Sequence, residues 1–419
     1  MIEALIVAAG CFAYWSSSPG LDSVVRPLIF VCLLGAAMLA IMQNKVKPIG
    51  PTATEFLLYT LGLVSAAVAL VHSVDYSIYY SMYFLTAIIC ISVIARSVPL
   101  ERLLDLAALS IFICVVATVL LDWRELVTCL SISIGKSGLV RFNPFGNHPL
   151  LVGYVAGSGS ILMVRRAYLT RRAWERVAMI VGVGLSWAMV LAASSRSAVS
   201  GLIAASLFAF VVELRFLRGT RIGRGGVILI VVGALVAVYL AFSSTYLQDI
   251  LEVNSNTRGV GSGVTGRTDL WAKGLEALTS DPSLVAFGGG LRSSEYSVIG
   301  FLTENSYITI LLDSGALAGS TLILFVLSAP FAALRRSRAT ATPNTLILFP
   351  SFFVFLIVQC FFVRYLIGLG NPTALFTLIL LMALSMRAGT LRGFAKHPEP
   401  TRSPAASADE LVAQKAVRQ

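Results

Sequence analysis

The chain has 419 residues, 57% of them hydrophobic and only 13% charged, against roughly 25% charged in soluble domains. With a mean hydropathy of +0.84, a water-soluble fold cannot hide that much apolar surface, and the bilayer is the solvent that fits. The net charge of +11 suits membrane orientation and anionic lipid rather than nucleic acid, because no basic run is interleaved with aromatics on a soluble stretch.

In chain order, hydropathy places apolar spans at 2–15, 25–42, 55–73, 77–95, 103–121, 148–164, 177–193, 197–212, 226–243, 305–328, 345–366 and 368–386. A full crossing takes about 20 apolar residues. The first span is short, and the break from Leu366 to Leu369 is weak. Backbone groups in lipid must be satisfied within the segment, and the alternation of a barrel strand is absent. The expected fold is an all-α integral membrane protein with about 12 (10–12) transmembrane helices. The start, Met1-Ile2-Glu3, has no basic n-region, so the first span is expected to be retained.

Twelve spans with a cytoplasmic N-terminus put every short basic loop on one side, from Lys45 and Lys47 through Arg96, Arg102 and Arg165 to Arg335. This is the pattern that the positive-inside rule requires, and it leaves both termini cytoplasmic. Two outer loops are long: 122–147, and 244–304 between the ninth and tenth spans. Residues 1–386 then form one polytopic transmembrane domain. The stretch 387–419, basic and then rich in Pro, Ser and Ala, reads as a disordered cytoplasmic tail. Cys11, Cys32, Cys90, Cys114, Cys129 and Cys360 include no CxxC spacing, so neither a disulfide framework nor a zinc site is expected.

The cations on the outer side run against the topological trend. Arg141 lies just before span six, Arg196 in the hairpin Ser194-Ser195-Arg196-Ser197, Arg292 in the large loop and Arg364 near the outer end of span eleven. Arg267 opens a helix expected over 267–278, with Leu270, Trp271, Leu275 and Leu278 on one face. Arginines converging on one outer face suit a diphosphate, because guanidinium stays charged and grips phosphate bidentately. A lipid headgroup contact or a structural salt bridge is the other reading for each.

Gly261 to Gly266 matches G-x-G-x-x-G, but no strand precedes it and no βαβ unit follows, so it reads as a loop. Glu304 and Asn305 stand at the start of span ten, where a carboxylate is either a general base or a partner of the helix dipole. Gly315 falls almost on the helical face of Glu304 and, with Gly319, forms a GxxxG packing pair. Asp313 points to the opposite face and is expected to have a structural partner. His148, before Pro149, is an acid/base group or an interfacial donor.

These pieces together resemble the superfamily of O-antigen ligases and Wzy-type polysaccharide polymerases. The resemblance rests on Arg141 to Pro149, Ser194 to Ser197, Gly266-Arg267-Thr268-Asp269-Leu270-Trp271, the Gly288-Gly289-Gly290 turn, and Glu304-Asn305-Ser306-Tyr307 leading to Asp313-Ser314-Gly315. It covers roughly residues 140–330. It implies a GT-C-like fold in the bacterial inner membrane. It also implies transfer of a saccharide from a polyprenyl diphosphate at the outer face, without a nucleotide sugar. The ligases carry His-[Asn/Ser/Gln], nine residues, then Gly. Here Glu304-Asn305, nine residues and Gly315 keep the frame, while glutamate replaces the histidine and Ala318 stands one before Gly319. That departure points to a polymerase.

The implied roles are proton acceptance by Glu304, or alternatively His148, and diphosphate binding by Arg141, Arg196 and Arg267. Asn305, Trp271, Arg292 and Arg364 are expected in support. No cofactor or metal is expected, arginine charge standing in the metal's place. The implied partners are a polyprenyl-diphosphate-linked oligosaccharide, membrane lipids, a chain-length regulator and a flippase. A ligase and a small-solute transporter are the alternatives.

Overall fold

Apolar runs punctuated by proline, glycine and charge become helices wherever they fall among the described residues. The computed structural model describes residues 1–48, 50–132, 141–216, 267–298, 300, 302–339, 348–364 and 366–394. Its helices are α1 (Ile2–Trp15), α2 (Asp22–Met42), α3 (Ala53–Val71), α4 (Asp75–Ser97), α5 (Leu100–Leu121), α6 (Trp123–Ile132), α7 (Pro149–Leu169), α8 (Ala173–Ala192), α9 (Arg196–Phe216), α10 (Arg267–Ser280), α11 (Pro282–Phe287), α12 (Ser306–Ala339), α13 (Leu348–Cys360) and α14 (Pro372–Phe394). Among the described residues there is no strand. Six helices, α2, α3, α4, α5, α8 and α12, are long and apolar enough to cross a membrane, as a multi-pass membrane protein requires. The span expected at 226–243, the glycine motif 261–266 and the tail beyond 394 lie outside the described residues.

Three boundaries differ from expectation. The loop expected over 122–147 begins as helix α6. Among the described residues of the span expected over 345–366, the helix is Leu348–Cys360, which leaves Arg364 in the turn beyond it. The last helix continues to Phe394, so residues 387–394 belong to it rather than to a disordered tail.

Ion pairs mark one end of the bundle. Glu3 meets Arg102 at 2.5 Å, Glu55 meets Arg96 at 2.6 Å, Asp105 meets Arg165 at 3.0 Å, and Glu175 pairs with Arg166. They join the starts of α1, α3, α5 and α8 to the ends of α4 and α7. The opposite end therefore gathers the ends of α1 and α8 with the starts of α4, α7, α12 and α14. Lys- and Arg-rich connections sit at the first end, and the candidate site residues sit at the second.

Between these ends the outward faces are apolar. Val31, Leu34, Met38 and Ile41 on α2, and Leu317, Leu324 and Phe331 on α12, are exposed at helical spacing. Such stripes are an aggregation hazard in water and an ordinary surface in lipid. α7 is the exception, because it is buried along nearly its whole length. Surrounded by protein, it needs no lipid-facing side chains and carries small residues that let its neighbours close in. A Cβ at Gly153 would lie 2.2 Å from Ser195 Oγ, one at Gly157 2.7 Å from the Phe355 ring, and one at Gly159 2.4 Å from Ile111.

α12 is broken at Gly315, where φ is 75° and ψ 171°. The carbonyls of Leu312 and Asp313, in the turn before the break, accept from the N–H groups of Gly289 and Gly290, both at 2.9 Å. A Cβ at Gly315 would lie 2.5 Å from the Ala286 carbonyl oxygen, and one at Gly288, at φ 73°, would lie 2.4 Å from Ser314 N. The expected GxxxG face is thus corrected. The close approach is to segment 286–290, and the atoms nearest a Cβ at Gly319 belong to its own helix. Glu304 precedes the helix, so it shares no helical face with Gly315.

Gly315→Ala places a side chain in a left-handed, fully packed position and is expected to cost about 1–3 kcal/mol. Gly184→Ala, where nothing lies within 4 Å of the new Cβ, is expected to be neutral or stabilising by up to about 1 kcal/mol. Thermal unfolding in micelles separates the two, and a wild-type midpoint for Gly315→Ala removes the break from the stability of the fold.

Candidate functional site

A cavity of about 360 Å³ opens at the end of the bundle opposite the Arg96 and Arg102 pairs. Ser16 and Ser17 follow α1, Arg26 comes from α2, Tyr79, Tyr80 and Tyr83 from α4, and His148 precedes α7. Leu291, Arg292, Ser294, Glu295, Asp313, Arg364 and segment 367–371 also line it, with Leu302, Thr303 and Thr309 beside them.

The spacing of Tyr76, Tyr79, Tyr80 and Tyr83 puts all four on one face of α4. Ring centroids are 4.7 Å apart for Tyr76 and Tyr80, and 6.0 Å apart for Tyr79 and Tyr83. The Tyr80 hydroxyl accepts from Arg26 at 3.1 Å and also from Arg292. The Arg292 guanidinium lies 4.4 Å from the Tyr80 ring centroid, within cation–π range.

Arg292 is held there by its own backbone. Asp313, 2% exposed, accepts from Arg292 N at 2.9 Å, from Ser294 N at 3.0 Å and from Ser293 Oγ at 3.4 Å. Ser77 Oγ donates to the Leu291 carbonyl at 2.8 Å, which ties the turn to α4. Asp313 therefore has the structural partners expected of it, and they are mostly backbone N–H groups.

Glu295 joins two cations. Its Oε2 takes Arg292 Nε at 3.0 Å and Nη2 at 2.7 Å, while Oε1 meets Arg364 at 2.8 Å. Burial pushes its carboxyl upward, but the two guanidinium charges outweigh that and hold it below the usual carboxylate value.

Glu304 and Arg267 are ion-paired at 2.8 Å. Arg267 opens α10, and the Trp271 indole N–H donates to the Thr303 carbonyl at 3.1 Å. α10 packs Trp271, Ala277 and Leu278 against Ile308 and Leu312. Leu275, expected on that face, is 47% exposed, and Gly274 takes the contact position. Asn305 caps α12, its Oδ1 accepting from Tyr307 N at 2.9 Å and Ile308 N at 3.2 Å.

His148 Nδ1 accepts from Leu150 N at 3.3 Å, so Nε2 carries the proton of the neutral ring. Burial lowers its pKa. Glu304 opposes that shift, while Arg141, Arg267 and Arg364 reinforce it. All four of these charges thus act on one imidazole. Arg141 itself donates to the carbonyls of Ala193 at 3.0 Å and Ser194 at 3.3 Å. It holds the α8–α9 corner that carries Arg196, a residue absent from the cavity lining. Left-handed backbone at the non-glycine residues Phe145, Ser194, Arg292 and Glu304 gathers at this end, and such strain persists only where the surroundings over-determine it.

The structure thus brings His148, Arg292 and Arg364 into one cavity. The Arg267–Glu304 pair is absent from the cavity lining, and Arg141, Asn305 and Trp271 are engaged with backbone. Sequence reading missed Glu295 and the tyrosine face, and it gave Arg26, one of the cations placed at this end, no role of its own. The run Tyr76-x-x-Tyr79-Tyr80-x-x-Tyr83 at the start of an apolar span was the available signal for the tyrosine face. Among the described residues, no group of three or more His, Cys, Asp or Glu side chains is arranged to hold a metal. No protein-family model and no curated protein matches the chain.

Glu295 has a lowered folded pKa, so its stabilisation is complete above the ordinary value of 4.5 and is lost as pH falls through the lower folded value. Glu295→Gln is expected to destabilise the neutral protein by roughly 2–3 kcal/mol and to abolish that acid step. Melting curves in micelles from roughly pH 3 to 7 test this. An unchanged acid limb in the variant assigns the step to another group.

Proposed function

We propose that the protein is an inverting glycosyltransferase that polymerises polyprenyl-diphosphate-linked oligosaccharide repeat units at the outer face of the bacterial inner membrane. The observation that carries this reading is the cavity in which Arg26, Arg292 and Arg364 converge beside tyrosine faces. Guanidinium forks suit diphosphate oxygens, and aromatic faces beside them suit a sugar ring. The lipid belt below would receive the polyprenyl chain.

In this reading Arg292 and Arg364 bear the diphosphate, with Arg26 beside them. Arg267, Arg141 and Arg196 contribute field or position. Glu304 accepts the proton of an acceptor hydroxyl, and its ion pair with Arg267 fixes where the carboxylate stands. The hydroxyl oxygen bonds to the anomeric carbon as the bond from that carbon to the diphosphate oxygen breaks. The polyprenyl diphosphate departs with the electron pair, and the arginines stabilise the charge that develops on it. His148 offers its Nε2–H as a hydrogen-bond donor. A flippase would supply the donor at the outer face, and a chain-length regulator would set product size. Both chain termini would lie in the cytoplasm.

Purified protein in nanodiscs, given a polyprenyl-diphosphate oligosaccharide, is expected to yield a ladder of products on the lipid carrier, and to do so in the presence of chelator. Transfer to an added lipid or core-sugar acceptor without a ladder means a ligase. No turnover of a verified native donor shifts the reading to transport. Arg364→Ala is expected to lower turnover by about 10²–10³-fold, and Glu304→Gln by about 10²–10⁴-fold with folding retained. Near-normal turnover in the Glu304→Gln protein removes the base role.

A further inference from the structure

We infer that Glu295 is a resident anion that holds the diphosphate position and is displaced when a diphosphate enters. The inference rests on the reading of this cavity as a diphosphate site. Each Glu295 carboxylate oxygen is held by a different arginine, Oε2 by the Arg292 fork and Oε1 by Arg364. Two oxygens bridged between two guanidinium groups is the arrangement that a diphosphate would reproduce.

Charge points the same way. Arg26, Arg292 and Arg364 face Glu295 and Asp313 in the lining, which leaves a net positive cavity with Glu295 in place. Asp313 is fixed, because backbone N–H groups of the turn hold its carboxylate. Glu295 is held by side chains alone among the described contacts, and it borders the open cavity. Without Glu295 the lining is left with two cations in excess, matching the charge of a doubly esterified diphosphate. Without any anion, two guanidinium groups around one point repel each other. Glu295 keeps both arginines gathered until the ligand replaces it, and it disfavours weaker, singly charged competitors.

The experiment measures binding of inorganic pyrophosphate, and of orthophosphate for comparison, to the full protein in zwitterionic nanodiscs at fixed ionic strength. Folding of every variant is checked by size exclusion and melting. Wild type is expected to bind pyrophosphate weakly. Glu295→Gln is expected to bind it at least tenfold more tightly and to recover its melting point when it does. Arg292→Ala and Arg364→Ala are expected to lose binding. Where Glu295→Gln fails to fold, Glu295→Asp, too short to bridge both arginines, is expected to move affinity in the same direction. Affinity in the Gln or Asp variant that is equal to or weaker than wild type overturns the inference, as does a folded wild type and variant that both bind nothing. Orthophosphate tightening as much as pyrophosphate overturns the diphosphate match. Anionic-lipid nanodiscs that compete fully would mean a headgroup site and overturn it equally. Pyrophosphate binding needs neither sugar nor acceptor. A failed polymerisation assay beside tightened binding therefore removes only the enzyme reading, and turnover beside unchanged binding removes only the displacement.

Discussion

The Asp313 carboxylate sits in a helix that crosses apolar surroundings, and it is almost wholly removed from solvent. A charge in that position is costly unless its oxygens are satisfied. They are satisfied by the N–H groups of Arg292 and Ser294 and the Ser293 hydroxyl, which fixes where the turn after α11 runs. The break at Gly315 allows this, because it lets segment 286–290 lie against the helix backbone and donate to carbonyls of the preceding turn. Arg292 then takes a left-handed backbone, its guanidinium falls over Tyr80, and Glu295 comes within reach of both Arg292 and Arg364. Much of the cavity wall follows from one buried acid and one glycine.

Lipid imposes the other constraint. Charges belong at the two ends of the helices, and the described ion pairs fall at those ends. One end uses them to join helix termini, with each arginine matched to one acid. The other end places Arg292 and Arg364 on a single acid at the edge of a cavity. Similar residue types therefore do different work at the two ends. Pairing at the first end closes the bundle, and the sharing of one acid between two arginines shapes the cavity edge at the second.

Several of the residues chosen for chemistry turn out to position other residues. Arg141 spends hydrogen bonds on the corner after α8, Asn305 caps α12, and Trp271 fastens α10 to the strained stretch that precedes α12. Arg267 meets Glu304 instead of standing open. The groups left facing the cavity are fewer, and they include Glu295 and the tyrosines of α4.

Helix positions were legible from hydropathy, because partition into lipid is a local property of each run of residues. That Arg292, Arg364, His148 and Glu304 belong to one end of the bundle was legible for the same reason. Leu275 was misread, because spacing alone cannot say that Gly274 is where α10 touches α12. The Gly315–Gly319 pair was misread too, since a glycine that breaks a helix and one that packs a helix look alike in sequence. By itself the sequence determined an all-helical chain with apolar spans and a sparse set of cations gathered away from the basic connections. Only the tertiary structure decided that Glu295 bridges Arg292 and Arg364, and that Tyr80 receives Arg26 and Arg292. Those pairings join segments far apart in the chain, and which segments meet depends on how all the helices pack together.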